Sequence, residues 1–140
     1  MFLDKLEGVF VGKGINHENE TFEGTLTINK KDNLRLYVVE YCARVAGKVI
    51  HQELSLLRGE SGKPFICTTH FSEFPNPIIH NQVDLSNMQI ILRSMPIAEM
   101  NNFVSELSIE KQEQQVIFTN SWGFEGDVVP RSTCTLRRTI

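Results

Sequence analysis

Apolar and polar residues alternate with a period of two along almost the whole chain. In the stretch TFEGTLTI, Phe22, Leu26 and Ile28 alternate with threonines and Glu23. After the polar turn NKKDN, the run LRLYVVEYCAR continues without a glycine or proline. A two-residue period places successive side chains on opposite faces of an extended backbone. Both stretches therefore predict β-strands.

The same pattern recurs as far as the carboxyl end, with polar, glycine or proline turns between the runs. The further strand-like runs are LEGVFVGKG, VIHQELSLLR, PFICTTHFS, IIHNQVD, QIILRS, FVSELSIE, QVIFTNSW and STCTLRRT. Together they make about ten short strands, and no connection is long enough for a crossover helix, so neighbours should be antiparallel. Closure removes exposed strand edges. We predict one all-β domain, residues 1–140, folded as a closed antiparallel up-and-down β-barrel.

One segment, Pro96 to Leu107, also places apolar residues at helical spacing. Two asparagines interrupt this stripe, and Leu107 and Ile109 alternate as in a strand. Asparagine is a poor helix former. We therefore predict a loop that leads into a strand from Phe103, rather than a helix.

The stretch LEGVFVGKG places three glycines, Gly8, Gly12 and Gly14, on the same strand face as Phe10. In one interpretation this glycine row leaves room inside the barrel while the Phe10 ring fills one end. In the other, the glycines only relieve crowding where strands cross, with no ligand involved. The pattern leaves both interpretations open.

Charge and composition exclude several classes of protein. The chain has 140 residues, with 14 basic and 17 acidic side chains and a net charge of -3, so no basic field predicts a nucleic-acid partner. The start MFLDKLEG contains Asp4 and no long apolar run, which predicts neither a signal peptide nor a membrane span and favours a cytoplasmic location. Three widely spaced cysteines within strand-like runs favour buried thiols over disulfides.

Few residues suggest catalytic chemistry. The four histidines lie apart at His17, His51, His70 and His80, so no metal site is predicted. His51 and Glu53 share a strand face and could form an acid/base pair. The alternation of Ile50, Leu54 and Leu56 favours the opposite orientation, with His51 and Glu53 on the outer surface. Without a catalytic motif, the chain is more simply a binding protein than an enzyme.

The last two strands suggest a ligand site. Phe118 and Trp122 share one face of their strand, while Cys134, Leu136 and Arg138 share one face of the next. An arginine among apolar side chains needs a partner, and a ligand carboxylate would serve; the alternative is that Arg138 lies at the end of the barrel and pairs with solvent or an acid. The candidate ligand-binding residues are Phe10, Phe118, Trp122, Leu136 and Arg138.

Two blocks resemble the nitrobindin group, which are fatty-acid-binding-protein-like barrels of the calycin superfamily. LEGVFVGKG is similar to the opening pattern Leu-x-Gly-x-Trp-x-Gly-x-Gly, with Phe10 in the position of the tryptophan. GKVIHQELSLLR is similar to a His-x-Glu-x-Gly-aromatic-x-Arg strand, with His51, Glu53 and Arg58 in register. The resemblance implies a calycin-like barrel. In fatty-acid-binding barrels an arginine on the final strand binds the ligand carboxylate, a role that only Arg138 could inherit.

The resemblance also raises the question of haem. Family members include haem proteins whose iron is bound by a histidine close to the carboxyl terminus, where this chain has CTLRR and no histidine after His80. Cys134 is the remaining soft donor, although a cysteine in an apolar strand is more often a core residue. We therefore predict no cofactor, and haem chemistry with nitric oxide or peroxynitrite is disfavoured.

Two strands are apolar on both faces, which bears on self-association. On the first strand, Val9 and Val11 lie on the face opposite Gly8, Phe10 and Gly12. In residues 36–43, both faces of the predicted strand carry mainly apolar residues. A contiguous apolar outer patch favours a homodimer, which the resemblance also implies. The alternative is that the amino-terminal MFLDK segment covers these residues through Phe2 and Leu3.

The sequence as a whole predicts a carrier or sensor that encloses a small apolar or amphipathic ligand. The main alternative is a ligand-free protein interaction module whose barrel is filled by its own aromatic side chains. A haem-binding or isomerase-type enzyme similar to nitrobindin is the third alternative.

Overall fold

The computed structural model describes residues 2–60 and 62–139. Ten antiparallel strands form one closed barrel, in which each strand pairs with its neighbour in sequence and β10 pairs with β1. The strands are β1 (Gly8–Ile15), β2 (Thr21–Lys31), β3 (Leu36–Val45), β4 (Lys48–Arg58), β5 (Ile66–Phe71), β6 (Ile78–Leu85), β7 (Gln89–Ser94), β8 (Val104–Gln112), β9 (Gln115–Gly123) and β10 (Val129–Arg138). The predicted all-β up-and-down barrel is confirmed.

Helical structure within the described residues is limited to three short 3-10 helices, Phe2–Leu6, Asp32–Leu34 and Ala98–Met100. The third is a single turn within the segment that has helical spacing, and β8 begins directly after Phe103. The prediction of a loop that leads into a strand is therefore confirmed. In the described part of the chain, no helix has the length and apolar character to cross a membrane.

The amino-terminal helix seals one end of the barrel. Its apolar residues Phe2, Leu3 and Leu6 are buried and belong to the main hydrophobic core. On the polar side of the helix, Asp4 accepts a hydrogen bond from the Tyr37 hydroxyl and forms an ion pair with Lys30 at 2.9 Å. These contacts tie the helix to β2 and β3, so the helix covers this end of the barrel, here called the closed end.

Arg138 completes the seal from the last strand. Its guanidinium lies 4.7 Å from the centre of the Phe10 ring and donates hydrogen bonds to the backbone carbonyls of Glu7 and, at 2.9 Å, Lys5. The Phe10 ring is buried beneath it. A cation over an aromatic face is stabilising, and the carbonyls at the end of a helix are natural partners for it.

The helix does not cover the outer wall. Phe2 and Leu3 point into the barrel, while Val9 and Val11 remain 39% and 45% exposed. The interpretation in which MFLDK folds over these valines is therefore wrong. Burial of both large side chains inside the barrel end removes more apolar area from water than an outer contact would.

The glycines of β1 allow a close approach between strands. A side-chain carbon at Gly12 or Gly14 would collide with the backbone carbonyl of Thr135 or Thr133 on β10. The space next to these glycines is thus occupied by the paired strand, not by a cavity. Of the two interpretations of the glycine row, relief of crowding at the junction of β1 and β10 is the one that the structure supports.

The inward face of β4 carries polar residues as well as Leu57, which contradicts the favoured orientation. Glu53 and Ser55 are buried, while Ile50 and Leu54 are 41% and 37% exposed. Glu53 lies opposite Tyr41 in the β3–β4 register, and directly opposed residues share a face of the sheet. Since Tyr41 points inward, Glu53 must do so too. The placement of His51 and Glu53 on the outer surface was therefore wrong.

Replacement of Phe10 by alanine tests the seal. Removal of a buried phenylalanine ring leaves a cavity and should lower the free energy of unfolding by about 3–5 kcal/mol. Urea unfolding followed by tryptophan fluorescence measures it. Ile79→Ala, at an exposed position of β6, is the matched control and should cost less than about 1 kcal/mol. Equal effects of the two substitutions would contradict the inward position of Phe10.

Candidate functional site

A cavity of about 610 Å³ opens at the end of the barrel opposite the amino-terminal helix. The connections between β1 and β2, β5 and β6, β7 and β8, and β9 and β10 surround its mouth. Aromatic side chains form its main apolar lining: Phe22, Tyr41, Phe71, Phe74, Phe103, Trp122 and Phe124. A concave, largely apolar cavity of this size is typical of sites for small molecules.

The aromatic rings at the mouth contact one another across separate connections. Phe74, from the β5–β6 connection, packs against Phe71 and Phe103 with centroid distances of 5.8 and 5.6 Å. Phe103, which precedes β8, packs against Phe124 at 5.5 Å and Trp122 at 6.1 Å. Such tilted and edge-to-face pairs stabilise beyond the area that they bury. They hold several connections in a single arrangement around the opening.

A chain of charged side chains runs from the mouth into the interior. His51 Nε2 lies 2.6 Å from Glu53 Oε2, and His51 Nδ1 forms a hydrogen bond with Glu73 at the rim. The same Glu53 oxygen accepts a hydrogen bond from Asn120 Nδ2 at 2.7 Å. Glu53 is only 4% exposed, and its Oε1 atom has no hydrogen-bond partner among the described residues.

The two carboxylates determine the protonation of His51. Burial lowers the pKa of the imidazole, but the hydrogen bonds and charges of Glu53 and Glu73 outweigh burial and raise this pKa to about 9. Burial raises the pKa of Glu73, but its hydrogen bond to His51 and the imidazolium charge lower it below its ordinary value overall. At neutral pH His51 is therefore an imidazolium between two carboxylates, which satisfies a buried charge that would otherwise be costly.

A second polar group lies within the barrel behind the cavity. His80 is fully buried, with Nε2 at 2.9 Å from Ser105 Oγ and Nδ1 at 3.2 Å from Thr69 Oγ1. Burial lowers the pKa of His80 to about 4, so the ring is neutral. Ser105 lines the cavity and resembles a nucleophile beside a base, but a base with so low a pKa is a weak activator at neutral pH. The clearer role of His80 is to form hydrogen bonds with the buried hydroxyls of Ser105 and Thr69.

The structure separates the predicted site residues into two groups. Trp122 and His51 line the cavity, and Glu53 lies directly beneath His51. Phe118 lies deeper, with its ring 4.3 Å from that of Tyr41. The remaining three, Phe10, Leu136 and Arg138, lie toward the closed end. Arg138 has backbone carbonyls as partners, so the interpretation that gives it a ligand carboxylate does not fit this arrangement.

Several residues of the site carry no signal in the sequence pattern. Glu73 and Phe74 are in a connection between strands, where no periodicity indicates direction. Asn120 is on β9, and its bond to Glu53 joins two strands far apart in sequence, which the local pattern does not indicate. Thr69 shares a face of the predicted fifth strand with Cys67 and Phe71. This position is the one sequence signal for a buried polar side chain that needs a hydrogen-bond partner.

Titration of His51 tests its contacts with Glu53 and Glu73. Its pKa in the folded state, about 9, lies above the ordinary value of 6.5, so its contribution to stability is complete below about pH 6.5 and is lost as pH rises through 9. We expect an NMR titration of the His51 ring with a midpoint near pH 9. Glu73→Gln should lower this midpoint, whereas a wild-type midpoint near 6.5 would contradict the contact with both carboxylates.

Comparison with known proteins shows a shared fold. No protein-family model matches this chain, and no curated protein matches it significantly. Among solved structures, the crystal structure of Rv2717c from M. tuberculosis is similar, with a TM-score of 0.74 and 15% sequence identity over 99% of this chain and 95% of that chain. A redesigned β-barrel matches more weakly, with a TM-score of 0.45 and 11% identity over 99% and 96% of the two chains. The chain thus has the barrel fold of Rv2717c.

Proposed function

We propose that this protein is a calycin-like barrel, similar to the nitrobindin and fatty-acid-binding groups, that binds a small apolar or amphipathic molecule at its open end. The observation that carries the proposal is the cavity of about 610 Å³ with an aromatic wall and one internal chain of charged groups. A few placed polar groups within an apolar pocket orient a ligand and give specificity. The likeness to Rv2717c supports the fold on which the proposal rests.

The alternative of a barrel filled by its own side chains agrees with the closed end of the interior but not with the open end. The core around Leu26, Ile109 and Leu136 is closely packed and sealed by the amino-terminal helix. At the open end, a ring of aromatic side chains surrounds space instead of filling it. An interaction module would not need such a cavity, because its contacts lie on the outer surface.

An enzyme of isomerase type is the weaker alternative. Both ring nitrogens of His51 are bound to carboxylates, which leaves neither free to exchange a proton with a substrate. The His80 ring is neutral, and burial makes it a weak base. General acid/base catalysis needs a group whose pKa is near the working pH and which reaches the substrate.

The position that the resemblance implies for a haem ligand does not fit haem iron. Cys134 is fully buried beside Gly24 and Tyr41, and it is not among the described residues that line the cavity. Burial raises the pKa of the Cys134 thiol, whereas iron ligation requires the thiolate. The absence of haem stays a prediction, as does the cytoplasmic location.

We also propose self-association through the outer wall. Val9 and Val11 on β1 are exposed apolar residues, and such residues in a contiguous patch favour an interface. Analytical ultracentrifugation at micromolar concentration should show a dimer, and Val11→Glu should dissociate it, because a charged group would have to be desolvated in the interface. A single species near 16.0 kDa for the wild type would contradict this proposal.

Ligand binding can be tested with the single tryptophan, Trp122, which lies in the cavity wall. The neutral apolar dye N-phenyl-1-naphthylamine should accept excitation energy from Trp122 and should saturate at one dye per chain. Ser132→Phe places a ring in the cavity and should weaken binding by about tenfold or more, equivalent to about 1.4 kcal/mol.

Thr133→Phe is the matched control, because Thr133 is the next residue of β10 and is exposed outside the barrel. It should leave dye affinity unchanged. Absence of saturable binding in the wild type, or equal losses in the two variants, would count against a ligand site in the cavity.

A further inference from the structure

The open end of the barrel carries an excess of negative charge. Glu18, Glu20 and Glu73 line the cavity, and no lysine or arginine occurs among its described lining residues. The Asn16 side chain accepts hydrogen bonds from the backbone N–H groups of Glu18 and Glu20, which fixes the turn that bears these two carboxylates at the mouth. The negative charge is thus a built feature of the mouth.

The imidazolium of His51 does not reverse this balance. Its two N–H groups are directed at Glu53 and Glu73, so the three side chains together carry two negative charges and one positive charge. No N–H of His51 remains to donate to an anionic ligand. The buried Glu53 also keeps one oxygen, Oε1, without a hydrogen-bond partner among the described residues. Because Glu53 lies directly under lining residues, its charge adds to the negative potential of the cavity.

The aromatic lining also attracts cations. The faces of aromatic rings are electron-rich and attract cations within about 6 Å, best when water is excluded. Trp122 already holds one cation in this way, since the Arg131 guanidinium lies 4.5 Å from its ring. Arg131 is not among the described lining residues. Its positive charge lies behind the wall and, together with the His51 imidazolium, is outnumbered by the carboxylates of Glu18, Glu20 and Glu73. The rings of Phe74, Phe103 and Phe124 also line the opening.

We propose that the ligand of the cavity is an amphipathic organic cation, with an apolar body among the aromatic rings and an ammonium-type group beside the mouth carboxylates. This inference rests on the proposed binding function and specifies its ligand class. A carboxylate ligand, which the barrel arginine suggested from sequence, is disfavoured because three lining carboxylates would repel it. Coulomb interactions of this kind are strengthened where water is partly excluded.

Three ligands with one alkyl body and different head groups test the charge preference. Dodecylammonium, dodecanol and dodecanoate are titrated at pH 7.4, below their micelle concentrations, by displacement of the naphthylamine dye excited through Trp122. We expect dodecylammonium to bind about tenfold or more tightly than dodecanoate, with dodecanol between them. High salt should reduce this difference.

Matched charge variants identify the source of the preference. Glu73→Gln removes one rim carboxylate and should weaken dodecylammonium about three- to tenfold, while dodecanol, as the internal control for folding, is unchanged. Glu40→Gln removes the same charge from an exposed position on the outer side of β3 and should change none of the three affinities. A non-specific attraction to the acidic surface would instead affect both variants equally and would overturn the inference.

The outcomes separate this inference from the proposed function. If all three ligands displace the dye with equal affinity, or dodecanoate binds best, the cavity binds ligands but the cationic preference is wrong. If none displaces the dye and the dye itself does not saturate, the proposed binding function fails and the inference fails with it.

Discussion

The interaction on which the open end depends is the double hydrogen bond of His51 with Glu53 and Glu73. A carboxylate on the inward face of a barrel strand is costly unless a partner compensates its charge. The imidazolium supplies this compensation to Glu53 and reaches Glu73 in the β5–β6 connection with its other nitrogen. Because Phe74 follows Glu73, the same contact positions the aromatic cluster at the mouth.

The two ends of the barrel differ in how they are built. At the closed end, Arg138 and Asp4 fasten the amino-terminal helix while its apolar residues extend the core. At the open end, connections between strands carry the lining glutamates and part of the aromatic lining, namely Phe74, Phe103 and Phe124. Residues on connections can vary without loss of the strands that support them, so the residues of the open end can change while the core at the closed end is kept.

The fold could be predicted from the sequence because it depends on a local signal. The two-residue period of residues 22–28 and 36–44 indicates strands without knowledge of their partners. The orientation of β4 could not be predicted in this way, since Leu54 is apolar yet exposed and Glu53 is charged yet buried. That orientation follows from the pairing of Glu53 with Tyr41 and from the bond to Asn120, which are both long-range contacts. Trp122 could be placed in the candidate site because it lies on a periodic strand, whereas Glu73 and Phe74 lie in a connection without a period. His51 also lies on a periodic strand, but the favoured orientation of that strand was wrong.

Under the proposed function, a ligand enters at the acidic, aromatic end and not at the end sealed by Arg138. The most direct measurement is a map of backbone amide NMR shifts during titration with dodecylammonium. We expect the largest changes on the mouth ends of β4 and β9, around His51, Asn120 and Trp122, with little change at Phe10 and Arg138. Maximal changes at Phe10 and Arg138, or changes confined to the outer wall, would contradict this expectation.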